Sequence, residues 1–222
     1  MSFLINPYRF AAASGDPDFA NVVLLAHFDG SNGSTTFTDN SPIARTITSN
    51  GGAALTTTDP KFGTASLSTD GTNDYASCAA STDWSFGTST DFTAEFWLKS
   101  DSADPTGCGI ALQGNSLYVT LIGSTLYFGN GGVNMVTASW TGLHGSWQFI
   151  MARRSGNTCE LFINGTSQGT YTTSVSIGAN QELRIGYAAV SGGFGKGQID
   201  DLRITKGVAR TNTVPTTAFP DS

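Results

Sequence analysis

Charge is scarce in this chain: Asp, Glu, Lys and Arg make up 13% of it, and acidic residues outnumber basic ones 17 to 11. A net charge of −6 with so few, unclustered cations excludes a nucleic-acid partner, because such binding needs grouped Lys and Arg to displace counterions from phosphates. The adjacent basic pair Arg153-Arg154 reads as the end of a strand with solvated side chains. Cysteine is equally sparse, three in all, with no C-x-x-C and no metal-ligand spacing. That excludes a disulfide scaffold and points to folding in a reducing compartment. Cys159 shares a strand face with Leu161 and Ile163 and reads as a small buried residue. Cys78 reads the same way, and Cys108, between two glycines, reads as a loop thiol. No apolar run is long enough for a membrane span, and the opening residues lack the basic start and long apolar core of a signal peptide. Synthesis in a cytoplasm is the expectation.

What the chain does have is glycine, 27 residues, and phenylalanine, 14, within 39% hydrophobic content. Turn formers are abundant and helical stripes are missing, so the fold class is all-β. At 222 residues without a linker or low-complexity block, one two-sheet antiparallel β-sandwich is expected. In Phe92-Thr-Ala-Glu-Phe-Trp-Leu-Lys99 the residues Phe92, Ala94, Phe96 and Leu98 line one face and Thr93, Glu95, Trp97 and Lys99 a polar outer one. Residues 117–121 and 125–128 read as a hairpin, as do 146–152 and 159–163 around a turn at 154–157. Residues 182–186 and 199–204 add two more strands, and the tail, with Pro215 and Pro220, reads as irregular chain.

The first residues stand apart. Phe3, Leu4, Ile5, Tyr8 and Phe10 form an apolar arm, Pro7 breaks any helix, and residues 11–17 follow as a turn-rich hinge. The chain divides into an arm and hinge, 1–20, and a sandwich, 21–222. Such an arm must be buried against its own domain or a neighbouring subunit. Docking to a neighbour is the expectation, because a complete sandwich has its own core.

An ordered series of motifs runs through the rest: His27-Phe-Asp-Gly30, Lys61-Phe-Gly-Thr-Ala-Ser-Leu67, Asp70-Gly-Thr-Asn-Asp-Tyr75, Asp91-Phe-Thr-Ala-Glu-Phe-Trp97, Leu161-Phe-Ile-Asn-Gly165 and Ile199-Asp-Asp-Leu-Arg-Ile204. Together they resemble the laminin-G-like, concanavalin A-like jelly-roll family over residues 22 to 220. The opening Met-Ser-Phe-Leu-Ile-Asn-Pro-Tyr also looks like the start of tailed-phage virion proteins that carry such sandwiches.

The resemblance bears on three kinds of site. Related glycoside hydrolases place paired acids on one strand, E-x-D-x-E, to flank the scissile bond; here Glu95 stands alone, and neither His27 nor His144 has a nucleophile motif. A non-enzymatic protein is expected, with His27 a strand residue and His144 a loop residue. The family implies a structural Ca2+ held by Asp200, with Asp29 and Gly63 contributing, stapling the chain near its termini. The alternative is that Asp200 and Asp201 cap the strand and pair with Arg203 or Lys206. If Leu202 and Ile204 face inward, strand parity puts Asp200 on the same side. For carbohydrate binding, Trp97 on the outer face and Trp140 in a glycine-rich loop are the candidates for stacking on sugar rings.

The function expected from all this is a virion structural protein, a capsid decoration or tail component on the outer surface of a particle made in the host cytoplasm. Its arm would fasten it to other virion proteins and to further copies of itself as a homo-oligomer. The alternative is an adhesion module recognising host surface glycans.

Overall fold

The computed structural model describes residues 15–101, 106–188 and 192–222. The strands are β1 (Val22–Ala26), β2 (Ile47–Asn50), β3 (Ala54–Thr56), β4 (Ser66–Asp70), β5 (Tyr75–Cys78), β6 (Phe92–Ser100), β7 (Thr106–Leu112), β8 (Tyr118–Ile122) and β9 (Thr125–Asn130). They continue as β10 (Val133–Ser139), β11 (Gln148–Ser155), β12 (Thr158–Ile163), β13 (Thr166–Thr172), β14 (Leu183–Ile185), β15 (Tyr187–Ala188), β16 (Gly193–Phe194) and β17 (Lys196–Lys206). Among the described residues no helix is long and apolar enough to cross a membrane.

Two antiparallel sheets pack face to face. One runs β13-β12-β11-β6-β17-β4-β3, with β1 also pairing β17; the other runs β10-β9-β8-β7-β14-β5-β2. Strand β17 is long enough for one edge to follow β6 throughout while the other follows β4 and then β1. The core between the sheets follows strand parity: Ala94, Phe96 and Leu98 of β6 and Ile150 and Ala152 of β11 belong to the same cluster as Ile110, Val119, Leu121, Phe128 and Ile185. Each large side chain so buried contributes about 1.5–3 kcal/mol.

The other face of the eight-stranded sheet is not the polar, solvated surface that alternation predicts. Val22, Leu25, Trp97, Phe149, Met151 and Phe162 form a second apolar cluster with Phe219 of the tail, flanked by Phe19, Phe62, Trp147 and Val214. Residues 207–222 carry no regular structure, yet they cover this face. Thr93 and Glu95 are consequently buried, and Trp97 is buried under the loop at 59–64. Arg154 departs in the same direction: instead of a solvated strand end it is fully buried, its guanidinium donating to the carbonyls of Phe86, Gly87 and Thr90. Cys108 is no loop thiol but a buried residue of β7, and all three cysteines are free.

Parity also fails once within β17. Asp201 takes a left-handed backbone (φ 47°) and the register with β6 shifts between Asp200 and Arg203. This bulge turns Asp200 away from the inner face that Ile199, Leu202 and Ile204 share, and sets it opposite Trp97. The freed Asp201 carboxylate binds His27 Nδ1 (2.6 Å) and accepts from the Phe219 amide (3.0 Å), so it holds the tail rather than Arg203 or Lys206. Residues 15–20 likewise belong to the body: Asp16 is buried against Arg203 and Arg210. The arm residues Phe3, Leu4, Ile5, Tyr8 and Phe10 lie outside the described residues.

Candidate functional site

Strands β4, β6 and β17 end side by side. Cross-strand pairing puts Ser68 opposite Gln198, Asp70 opposite Lys196 and Gln198 opposite Lys99. Because Leu67, Leu98 and Ile199 take the inner face, the polar residues between them share the outer one. Ser68, Asp70, Lys99, Lys196 and Gln198, with Asp101, line an open groove of about 330 Å³. Its cations are balanced locally, Lys99 by Asp59 (2.7 Å) and Lys196 by Asp101 (2.9 Å). Ser66 donates to Gln198 Oε1 (3.0 Å), fixing the amide. The groove therefore offers ammonium donors, carboxylate acceptors, a hydroxyl and an amide with little net charge, a set that complements a polyhydroxylated ligand.

A separate aromatic cluster is built from β5, β15 and β16. Tyr75, Tyr187 and Phe194 form a three-ring cluster with centroids 5.3 to 6.1 Å apart. The Arg184 guanidinium lies 5.0 and 4.9 Å from the two tyrosine rings and is held by Glu182 (2.7 Å). Phe194 precedes the groove residue Lys196 by two positions, and the β4–β5 turn closes on that lysine at Gly71. The three rings are half-buried. Nothing in the sequence signalled this cluster, because its members lie up to 119 positions apart and none alternates in a recognisable strand.

The two tryptophans expected to stack on sugar are placed otherwise. Trp97 is 4% exposed: Phe62 and Phe149 pack on it, and Lys61 Nζ sits 3.8 Å from its ring. Trp140 is fully buried and donates to Ser100 Oγ (2.9 Å). Neither indole is open to a ligand, because the loop at 59–64 covers one and the strand end of β6 the other. Trp147 is the half-buried indole; it donates to the Asp59 carbonyl (3.0 Å), beside the carboxylate that pairs with Lys99.

Ser100 and His144 meet at 2.9 Å, a pair the sequence did not join. Ser100 is fully buried and accepts the Trp140 N–H, and His144 Nε2 is buried without a partner. A nucleophile needs an oriented base and access to substrate. Among the described residues this pair has no carboxylate behind the imidazole and no opening in front of the hydroxyl, so it anchors the 140–147 loop. Glu95, the one acid expected on its strand, is bound into an ion network with Arg203 (2.7 Å).

The three residues expected at a Ca2+ site do converge, all on the turn at 61–65. Asp200 Oδ2 accepts from the amides of Lys61 (2.8 Å) and Phe62 (3.1 Å). Asp29 Oδ1 accepts from the Thr64 amide and from Thr64 Oγ1 (3.0 Å). Gly63 (φ 57°) sits where any Cβ would overlap the Asp29 carboxylate. Asp200 Oδ1 is buried and unpartnered. Burial pushes the Asp200 carboxyl up to about 7, against the two amides that hold it down. No group of three His, Cys, Asp or Glu side chains converges among the described residues, so a cation here would take most of its oxygens from the backbone. The orphaned Asp200 oxygen fits that role.

The two-sheet sandwich carries a polar groove at the ends of β4, β6 and β17, and its architecture is that of a jelly roll. Residues 70–214 match the laminin G-like family model described as the concanavalin A-like lectin/glucanases superfamily, and the chain belongs to that family. No curated protein sequence matches it. Among solved structures it is similar to the binding domain of Paraclostridial Mosquitocidal Protein 1 (TM-score 0.66, 13% identity, 87% of this chain and 50% of that one). It is also similar to domain 4 of a GH43 extracellular arabinanase from Geobacillus stearothermophilus in complex with arabinotriose (TM-score 0.62, 18% identity, 86% and 94%). A third is a botulinum neurotoxin type C structure, whose cell entry depends on interaction with two ganglioside molecules (TM-score 0.62, 14% identity, 85% and 48%). The chain thus spans about half the length of the toxin chains it matches. At these identities the likeness shows the fold.

Proposed function

We propose that this protein is a non-enzymatic glycan-recognition module whose ligand lies in the groove between the ends of β4, β6 and β17. The observation that carries this reading is the groove's charge-balanced wall of Ser68, Asp70, Lys99, Lys196 and Gln198. Sugars are bound by such walls, their hydroxyls taking paired donors and acceptors. The arabinotriose and ganglioside named for two structural neighbours support this ligand class. Within the proposal, the module is an outer component of a tailed-phage particle and residues 1–14 fasten it there. The support is that residues 15–222 enclose a complete core of their own.

A glycan array followed by titration of the best hit tests this. Lys99→Ala combined with Gln198→Ala is expected to weaken binding at least about tenfold, since each lost polar contact is worth about 1 kcal/mol or more. Removing residues 2–14 is expected to leave the affinity unchanged. An array with no hit, or an affinity indifferent to the groove double variant, removes the reading.

Asp200, through its unpartnered oxygen, and Asp29 would hold the family's Ca2+ against the 61–65 turn. The ion would supply only a brace there, next to the groove's Asp59–Lys99 pair. Addition of Ca2+ to chelator-treated protein is expected to raise the melting temperature, and Asp200→Asn to abolish the rise; equal curves with and without the ion argue against the site.

A further inference from the structure

The two flanks of the sandwich are finished differently. On one, the sheets end at β2 and β3, and the chain closes both edges itself. Gly33 donates to the Leu55 carbonyl and the Leu55 amide to the Ser34 carbonyl, both at 2.8 Å, while Phe37 bridges to Ile47. On the other flank the sheets end at β10 and β13, and neither outer edge has a backbone partner among the described residues. These two strands lie against each other across the sandwich; a Cβ at Gly169 would stand 3.5 Å from the Val136 side chain.

That open flank is also without charge. No Asp, Glu, Lys or Arg occurs between residues 105 and 152 or between 161 and 181, so β7 to β10, β13 and the segment after β13 carry none. The formal charge of −6 resides on the rest of the molecule. Val133, Tyr171 and Val175, at 49%, 38% and 55% exposure, are three of the four exposed large hydrophobic residues among those described, and all three belong to this flank. Soluble proteins ordinarily guard a free strand edge with charge, proline or a covering segment. Here the guard is limited to one bulge in each strand, between Asn134 and Val136 and opposite Leu161–Phe162.

We propose that the β10/β13 flank is the interface through which two copies of this chain associate about a two-fold axis. Charge distribution selects the partner. Two molecules of −6 repel wherever their acidic surfaces meet, and this flank is where they approach without like-charge contact. An uncharged patch of threonine, serine and a few apolar side chains is complementary to itself, as an isologous contact requires. The bulges twist both edges, so the contact is made by side chains of the two flanks rather than by one continuous sheet.

Sedimentation of the full chain over a wide concentration range gives the test. The wild type is expected to reach about twice its 23.1 kDa, and Val133→Lys with Thr170→Lys to raise the dimer dissociation constant at least about tenfold, because each lysine would face its own copy or a neighbour near the axis. Both positions are exposed and make no side-chain bond that the fold needs. Thr170→Cys is expected to yield a disulfide-linked dimer on mild oxidation, and Thr36→Cys, on the closed flank, to yield none. A wild type that stays at 23.1 kDa at 100-micromolar order concentration, or a dimer unmoved by the lysines or captured instead through Thr36→Cys, overturns the proposal. So does a dimer lost when residues 2–14 are removed while the lysine variants leave it intact, which would assign the contact to the arm. Glycan affinity measured on the same variants is expected to be unchanged, so failure here is separable from failure of the groove.

Discussion

Arg203→Met is expected to cost about 3–5 kcal/mol of stability, the scale for stripping one partner from a buried ion network, and to lower the melting temperature by roughly 10 °C. Arg203 is bound on two sides. Its Nε and Nη2 hold Glu95 Oε1 (2.8 and 2.7 Å), its Nη1 holds Asp16 Oδ2 (2.9 Å), and its guanidinium stacks 3.8 Å from the Phe219 ring. Glu95 and Asp16 are each 2% exposed at the side chain. Without Arg203, Glu95 is left with Arg210 at 3.7 Å. Burial already pushes the Glu95 carboxyl up, against Arg203, and the loss would leave it to take a proton or stay unpaired. Burial acts on Asp16 too, but hydrogen bonding by Arg210 and the Asp18 amide holds its carboxyl below the ordinary range, so this half of the network survives the substitution. The control is Arg203→Met with Glu95→Leu, which removes both charges and is expected to recover much of the loss. A single variant that loses less than about 1 kcal/mol in urea denaturation would show that the network carries little of the fold.

The second large effect is a loss of stability in alkali. Burial works to lower the His27 imidazole, but Asp201 at 2.6 Å and then Asp221 at 2.8 Å outweigh it and raise it from 6.5 to about 9. A group raised in the folded state stabilises fully below its unfolded value. That contribution is present below about pH 6.5 and drains away as pH rises through about 9. Such a rise is worth at most about 3 kcal/mol, and because Asp221 is 59% exposed, solvent screening reduces it to about 2. The measurement is unfolding free energy from pH 6 to 10 for wild type and His27→Gln. The difference is expected to shrink across that window, and parallel curves would mean that the imidazole is not charged in the fold.

Much of the fold is legible in the sequence, and where it is not the reasons are specific. Alternation in residues 92–98 places Phe92, Ala94, Phe96 and Leu98 in the core, as the structure does, and the glycine turns separate β8 from β9 and β11 from β12 where expected. Period-two reasoning is local, however. It cannot register that a tail more than a hundred residues away returns to bury Glu95, that the loop at 59–64 covers Trp97, or that one left-handed residue, Asp201, reverses the direction of Asp200. Arg154 reads as solvated because its partners are carbonyls, which leave no trace in residue identity. The groove was missed for a related reason: Ser68, Lys99 and Gln198 are unremarkable alone, and only the pairing of β17 with both β4 and β6 collects them. That Asp29, Gly63 and Asp200 meet at one turn was legible only through the family resemblance, which, unlike periodicity, carries positions that lie together in space.

The Asp16 amide bonds to the Ser222 carbonyl at 2.6 Å, and Gly15 passes so close to that residue that no side chain would fit. A pull applied at residue 15 therefore acts on the body beside Ser222. Its tension would load the Asp16 clamp on Arg203, in an interior strand of the eight-stranded sheet, before it reached β1. Pulling would have to shear several ion pairs together instead of peeling one strand bond by bond, which gives this sandwich a mechanically hardened point of suspension.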